Sequence, residues 1–515
     1  MLPVEDISDN QLRVNRRAEY PPWVFYAACV VMGSLALLLV LPHLGDELWH
    51  DEVYTLTRFS SNGFLYPFTD YHAPNNHVLF SAVLAVWREF FGEQEICLRL
   101  LPLLFFLASL IVFMAAAKRL ADTNAAIVTG LLFATSHVIL NFAVQLRGYS
   151  FSWLPIAVGL FVLPKFLAAG GGWKSGLVYV ISAAIAIGIL PTNLLVFIIF
   201  SLWSAGVVWL SSGQDRKALF RKWTVITLAP LAGIVFYLDI LKQLLKGAGQ
   251  DWHAPSFGDV AYDYALHTNV DFFWLLPIVL LGLMGLVRKA RTAKGILSSR
   301  SLLVFGGCVL LVPFVVYSML PHVPFSRNLV PIIPLYYVFL AVLCSTALQS
   351  TFKIVPAMAK IVMVGIVAIH IAVTAHREYL DSGYVARNRD SFMPQNLYDQ
   401  YFHHDYHVSK TATFMRELAV SGPSFFVSDH SDFPALSYAV LKLYPQGLGA
   451  ELVYWDDQDL QQQSKDHIRD KTIYVVTGSP QQANVVLKRL GLEAGHLKEI
   501  RRAGFFSIYV VSPGA

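Results

Sequence analysis

Asp51 and Glu52 stand side by side a few residues beyond the apolar stretch Trp23–Leu41, in a chain with 55% hydrophobic and 14% charged residues. Charge is costly near hydrocarbon, so an acidic pair at the rim of a bilayer marks a site of function by default. A pair placed there can meet both a lipid-borne substrate and water. A carboxylate within hydrogen-bond reach of a hydroxyl can take its proton. The competing structural reading is an acidic cap on the first turn of a surface helix.

Other polar residues recur beside apolar spans. Arg147 and Arg327 each carry a planar guanidinium fork matched to phosphate oxygens, with snorkelling or helix pairing as the structural alternative. Tyr149 suits sugar or phosphate binding and equally an interfacial aromatic belt. His72 and His77 lie five apart and His50 adjoins Asp51. With the acidic pair, His50 and His72 are the candidate ligands for a divalent metal, since His and carboxylate suit zinc or manganese. Their spacing matches no defined metal motif, so the interfacial polar reading is favoured for them. Asn75 and Asn76 shape a turn or read sugar hydroxyls. Arg99 sits four residues after Glu95, the spacing of a structural ion pair. His403, His404, Asp405 and His407 form a His-rich loop expected to be solvated.

The chain has 515 residues and a mean hydropathy of +0.51, and many apolar runs approach the roughly 20 residues that cross a bilayer. This is the composition of a polytopic α-helical membrane protein. Four cysteines, Cys29, Cys97, Cys308 and Cys344, lie in or at the edge of apolar stretches and form neither a disulfide framework nor a CxxC metal site. Gly170–Gly172 lacks the lysine context of a phosphate loop, and nothing points to nucleic acid as a partner.

Arg13, Arg16 and Arg17 precede the first apolar run. No small-residue cleavage site follows, so the run is expected to be an uncleaved span with a cytoplasmic N-terminus. Residues 44–97 read as one long outer loop carrying surface-lying amphipathic helices, Val78–Phe91 among them. Alternating spans follow over Leu98–Ala117, Ala125–Phe142 and Phe151–Leu167. A hairpin from Leu177 to Leu210 breaks at Pro191–Asn193. Further spans follow over Trp223–Leu241, Phe272–Val287, Leu302–Leu320, Leu329–Leu348 and Ile354–Thr374. That is about eleven spans on the length rule, with every inner loop carrying Lys or Arg. The membrane domain is then 1–375. Residues 376–515 change composition and read as a small α/β domain on the outer face, with strands at Ser424–Ser428, Thr472–Thr477 and Phe505–Val511 and a helix at Gln481–Leu490.

Five outer-side elements occur in order: Trp49-His-Asp-Glu-Val-Tyr-Thr55, Tyr71-His-Ala-Pro-Asn-Asn-His-Val-Leu-Phe80, Glu95-Ile-Cys-Leu-Arg-Leu-Leu-Pro102, Gln145-Leu-Arg-Gly-Tyr-Ser150 and Pro324-Phe-Ser-Arg-Asn-Leu-Val-Pro-Ile-Ile-Pro334. The layout of residues 20–375 resembles the GT-C integral-membrane glycosyltransferases, near the protein O-mannosyltransferase and aminoarabinose transferase families. Those families carry an Asp-Glu in the first outer loop and elements similar to His-Pro-Pro-Leu-Tyr, Arg-Leu-Pro-Ser and Ala-Arg-x-Tyr-Ser. This chain departs from them at His72-Ala-Pro74, and no cluster of phosphate-binding lysines stands out.

The resemblance implies inverting transfer of a sugar from a polyprenyl-phosphate donor to a lipid, glycan or protein acceptor at the outer face of a membrane, expected to be a bacterial plasma membrane. In that frame Asp51 is the expected base and Glu52 orients the acceptor, a neighbouring side chain or a metal. Arg147, Arg327, Tyr149, His72, Asn76 and His77 are the expected substrate-binding residues. The alternatives are a transporter or flippase of lipid-linked saccharides, which calls for paired hydropathy halves and midplane charges, and an enzyme similar to the O-antigen ligases.

Overall fold

The computed structural model describes residues 20–71, 76–168, 170–211, 215–248, 256–269, 271–290, 297–320, 324, 326–351, 365–374, 407–428, 433–454, 471–477, 480–489, 497–503 and 506–511. The chain packs as two compact units. One takes in the described residues of 20–44 and 62–374; the other takes in 45–61 and those from 407 onward. Residues 45–61, which the sequence alone leaves in the first outer loop, therefore pack with the C-terminal unit.

The first unit is a helical membrane bundle. Among the described residues eight helices are long and apolar enough to cross a membrane, nine if Thr123–Thr135 and His137–Val144 count as one span. Of the remaining expected spans, Trp173–Ile189 is a shorter apolar helix, and Ile354–Thr374 is described only over Gly365–Thr374. Large side chains such as Trp23, Leu104, Trp209 and Leu311 stay exposed on the bundle, as a lipid solvent requires. Ser326–Gln349 is the most enclosed span, with 94% of its apolar window buried. Trp153 is fully buried between Phe106 and Phe133, each with ring centroids 6.2 Å from it. A Cβ on Gly282 would fall 2.1 Å from the Leu343 carbonyl oxygen, so the glycine lets helices Leu276–Ala290 and Ile333–Thr351 approach backbone to backbone.

The expected span Ala125–Phe142 is broken into Thr123–Thr135 and His137–Val144, bent by 66°. Ser136 adopts an extended conformation, and its Oγ accepts the Ile139 amide at 3.4 Å. Asp271 Oδ2 accepts the His137 amide at 3.1 Å and lies 2.5 Å from His137 Nδ1. Two side-chain oxygens thus serve the amides at the start of the second half-helix, which is what makes an interrupted helix tolerable inside a bundle. Helix Val78–Phe91 buries Val78, Phe80, Ala82, Leu84 and Ala85 on one face and leaves Phe90 and Phe91 exposed.

In the second unit a five-stranded sheet has the order β2-β1-β3-β5-β4, with β1 Ser424–Ser428, β2 Glu451–Tyr454, β3 Thr472–Thr477, β4 Leu497–Ala503 and β5 Phe506–Val511. β1 pairs in parallel with β2 and β3, and β5 is antiparallel to both β3 and β4. Phe425, Val427, Val475 and Tyr509 form its core with Ala483 and Val486 of helix Pro480–Arg489. Helices Val408–Ser421 and Phe433–Leu443 also pack on the sheet.

Candidate active site

In the first unit the site grows from the N-terminal end of span Gly148–Leu167. Arg147 is the extended residue before that helix, and its side chain is buried. His77 takes the same position before helix Val78–Phe91 and is also buried. The Gly148 amide donates to His77 Nδ1 at 2.5 Å, and Arg147 Nη2 lies 3.2 Å from His77 Nε2. A Cβ on Gly148 would fall 2.6 Å from Ile189 Cγ2 and 2.9 Å from His77 Nδ1, so only glycine lets the backbone approach the ring this closely. Tyr149 stands edge-on to His77 at 5.1 Å and to Phe142 at 4.8 Å, with the Arg147 guanidinium 5.9 Å from its ring centre.

Burial, then the charges of Arg147 and Arg327, hold the His77 imidazole well below its usual range. It is therefore neutral, with one N–H and one lone pair. The two expected arginines thus meet electrostatically at one histidine. Arg327 is half-buried in the short helix Ser326–Ile332. Burial pushes the Tyr71 hydroxyl up to about 12, against the opposing pull of Arg147, so it remains a neutral donor. Asn76 is fully buried and its amide donates to the carbonyls of Pro67 and Asp70, each at 2.9 Å. Its Oδ1 is buried without a hydrogen-bond partner among the described residues. Tyr66 donates to Asp70 Oδ2 at 2.7 Å. Asn76 thus shapes the turn that delivers His77.

In the second unit, Asp51 and Glu52 are buried on the short helix His50–Tyr54. Its N-cap is Trp49, and Glu52 Oε2 accepts the Trp49 amide at 3.1 Å. Glu52 thus fills the capping role expected as the alternative for the acidic pair. Beyond Tyr54 the chain widens into a π-helical turn, Thr55–Phe59, with Thr55 Oγ1 donating to the Asp51 carbonyl at 2.8 Å. Such widened turns recur at functional sites.

His72 and Asn75 lie outside the described residues, as does the side chain of His50, and so do His403, His404 and Asp405. Among the described residues no three His, Cys, Asp or Glu side chains come together as a metal site. Arg99 Nη1 donates to the His43 carbonyl at 2.7 Å, locking the end of the first span. Sequence reasoning missed Gly148 and Tyr71 as members of the site. Both adjoin chosen residues, and only the three-dimensional approach gives them a role.

No family model and no curated protein matches the sequence. Solved structures do. ArnT from Cupriavidus metallidurans in the apo state matches over 95% of this chain and 99% of its own, at 14% identity and a TM-score of 0.52. The archaeal oligosaccharyltransferase AglB from Archaeoglobus fulgidus, in complex with an inhibitory peptide and a dolichol-phosphate, matches over 95% of this chain and 74% of its own, at 11% identity and a TM-score of 0.52. The fold is that of the GT-C glycosyltransferases.

Proposed function

We propose that the protein is a membrane glycosyltransferase that moves a sugar from a polyprenyl-phosphate carrier to an acceptor hydroxyl or amine at the outer face of the membrane. Asp51 takes the proton as the acceptor atom attacks the anomeric carbon. The bond from that carbon to the phosphate oxygen breaks with inversion. Polyprenyl phosphate leaves with the electron pair, its charge met by Arg147, Arg327 and the His77 N–H. Glu52 holds the acidic helix through its bond to the Trp49 amide. The buried Asn76 Oδ1 is an acceptor suited to a sugar hydroxyl.

One observation carries this reading. A neutral imidazole has a single acceptor nitrogen, yet His77 faces two donors, the Gly148 amide and Arg147 Nη2. With Nδ1 accepting from Gly148, Nε2 bears the proton and stands donor to donor with arginine. Such a pair is relieved by an anionic oxygen that both groups can reach, and a phosphate supplies one. AglB, whose fold this chain shares, holds a dolichol-phosphate.

The test is reconstitution of the full chain in liposomes with a panel of radiolabelled polyprenyl-phosphate hexoses and pentoses. Release of polyprenyl phosphate together with labelled product is expected for one of them. Movement of intact lipid-linked sugar between leaflets with no release would mean a flippase.

A further inference from the structure

Glu47 lies four residues before Asp51 and reaches across the chain. Its Oε1 and Oε2 accept the Ser409 amide at 3.1 and 3.2 Å, and Oε2 also accepts the Val408 amide. These are the first two amides of helix Val408–Ser421, whose own N-cap, His407, makes no side-chain capping bond. A helix start is ordinarily capped by the residue next to it in sequence. Here the carboxylate comes from 361 residues away.

The second end of the arrangement is equally specific. Helix Phe433–Leu443 packs both against helix Val408–Ser421 and against the acidic helix His50–Tyr54. Leu48, Trp49 and Val53 are buried around Asp51. The segment 47–54 is thus gripped twice by the C-terminal unit, once through a carboxylate on two amides and once through apolar packing.

We propose that Glu47 is a positioning residue: through it the C-terminal domain holds the acidic helix, and with it Asp51, in the geometry used for transfer. The proposal rests on the reading of Asp51 as the base and gives the C-terminal domain its task. A carboxylate accepting two amides is short, charge-assisted and directional. Small misplacement of a reacting group costs roughly 10²-fold in rate.

Glu47→Ala is expected to speed amide hydrogen exchange over residues 48–56 and 408–412 of the full-length protein. It should lower kcat by roughly 10–10²-fold with donor KM unchanged, measured with whichever of the radiolabelled polyprenyl-phosphate sugars turns over. Glu47→Gln keeps one acceptor oxygen and should fall between Ala and wild type. His407→Asn supplies a local cap to the helix and alone should leave activity at the wild-type level. The double variant Glu47→Ala with His407→Asn decides the matter. Restored protection at 408–412 with exchange at 48–56 still fast and kcat still low supports a tether. Recovery of 48–56 and kcat reduces Glu47 to a cap and overturns the proposal, as does unchanged protection of 48–56 in Glu47→Ala. The exchange readout does not depend on the identity of the base, whose failure shows separately as full transfer by Asp51→Asn.

Discussion

His77 Nε2 and Arg147 Nη2 are 3.2 Å apart in a buried site where the ring has already committed its lone pair to the Gly148 amide. Two N–H groups held this way, near the charge of Arg327, form a positive, donor-rich site that favours an anion.

If that anion is the carrier phosphate, His77→Asn should weaken product inhibition by polyprenyl phosphate. Losing a hydrogen bond to a charged group is worth about 1.5–3 kcal/mol, or roughly 10–100-fold in affinity. The reading fails if the inhibition constant of a folded His77→Asn protein equals that of wild type.

The two arginines should differ in sensitivity. Arg147 is 2% exposed and lies against His77 and Tyr149, whereas Arg327 is half-buried. Arg147→Lys loses the fork in a site with little room for adjustment, so transfer and apparent donor affinity should both fall, and by more than in Arg327→Lys. Wild-type donor kinetics in both variants would assign these side chains to packing.

Acid should weaken the fold through His77. Its folded-state value lies well below the ordinary 6.5, chiefly through burial and then through Arg147 and Arg327. The unfolded chain therefore binds more protons as pH drops below 6.5, and stability declines from there down to the lowered value by up to about 1.4 kcal/mol per pH unit. Above 6.5 the residue contributes no pH dependence. Thermal midpoints in detergent at pH 7.5, 6.0 and 5.0 should show this loss in wild type, and a smaller loss in His77→Asn. Bound carrier phosphate opposes the two arginines, so it should also reduce the acid sensitivity. Equal slopes in the two proteins would remove His77 as the cause.

The bundle, the break at Pro191–Asn193 and three of the five strands are legible in the sequence because apolar length and alternation report burial directly. Strand Leu497–Ala503 is not, since Lys498, Glu499, Arg501 and Arg502 give an edge strand the look of a solvated loop, with an irregular register between Glu499 and Arg501. The bend at Ser136 depends on Asp271, 134 residues beyond His137, and the grip of Glu47 on a partner 361 away. No local pattern encodes such pairings. The meeting of Arg147 with His77 is within reach of the sequence, because both stand in polar motifs beside apolar stretches. The role of Gly148 was hidden, because a glycine's lack of Cβ matters only once its neighbour is known.

The lysines and arginines of the short loops make a further prediction. Glu93 and Asp259 should lie on the outer side, with Lys118 and Arg288 inside. Cysteine substitutions there should react with an impermeant thiol reagent in that split. Labelling of Glu93→Cys from the cytoplasmic side alone would make Val78–Phe91 a span and overturn the topology.

The acidic pair offers the sharpest contrast. Trp49 is the N-cap and Glu52 accepts its amide, and asparagine caps a helix as well as aspartate does, so a capping role for Asp51 would survive Asp51→Asn. Asp51→Asn keeps size and polarity but cannot take a proton at neutral pH. Folding and carrier binding should survive while transfer falls by roughly 10²–10⁴, the range for losing general-base assistance. Glu52→Gln should be mild, because glutamine fills the same reciprocal capping position. Glu52→Ala should lower stability by about 0.5–2 kcal/mol, the usual cost of a lost cap. If Asp51 were structural and Glu52 the base, the order would invert: Asp51→Asn would transfer normally and Glu52→Gln would be inactive though folded. Single-turnover transfer by the two variants, with their thermal midpoints measured alongside, separates the assignments, and full activity in Asp51→Asn would end the case for Asp51 as the base.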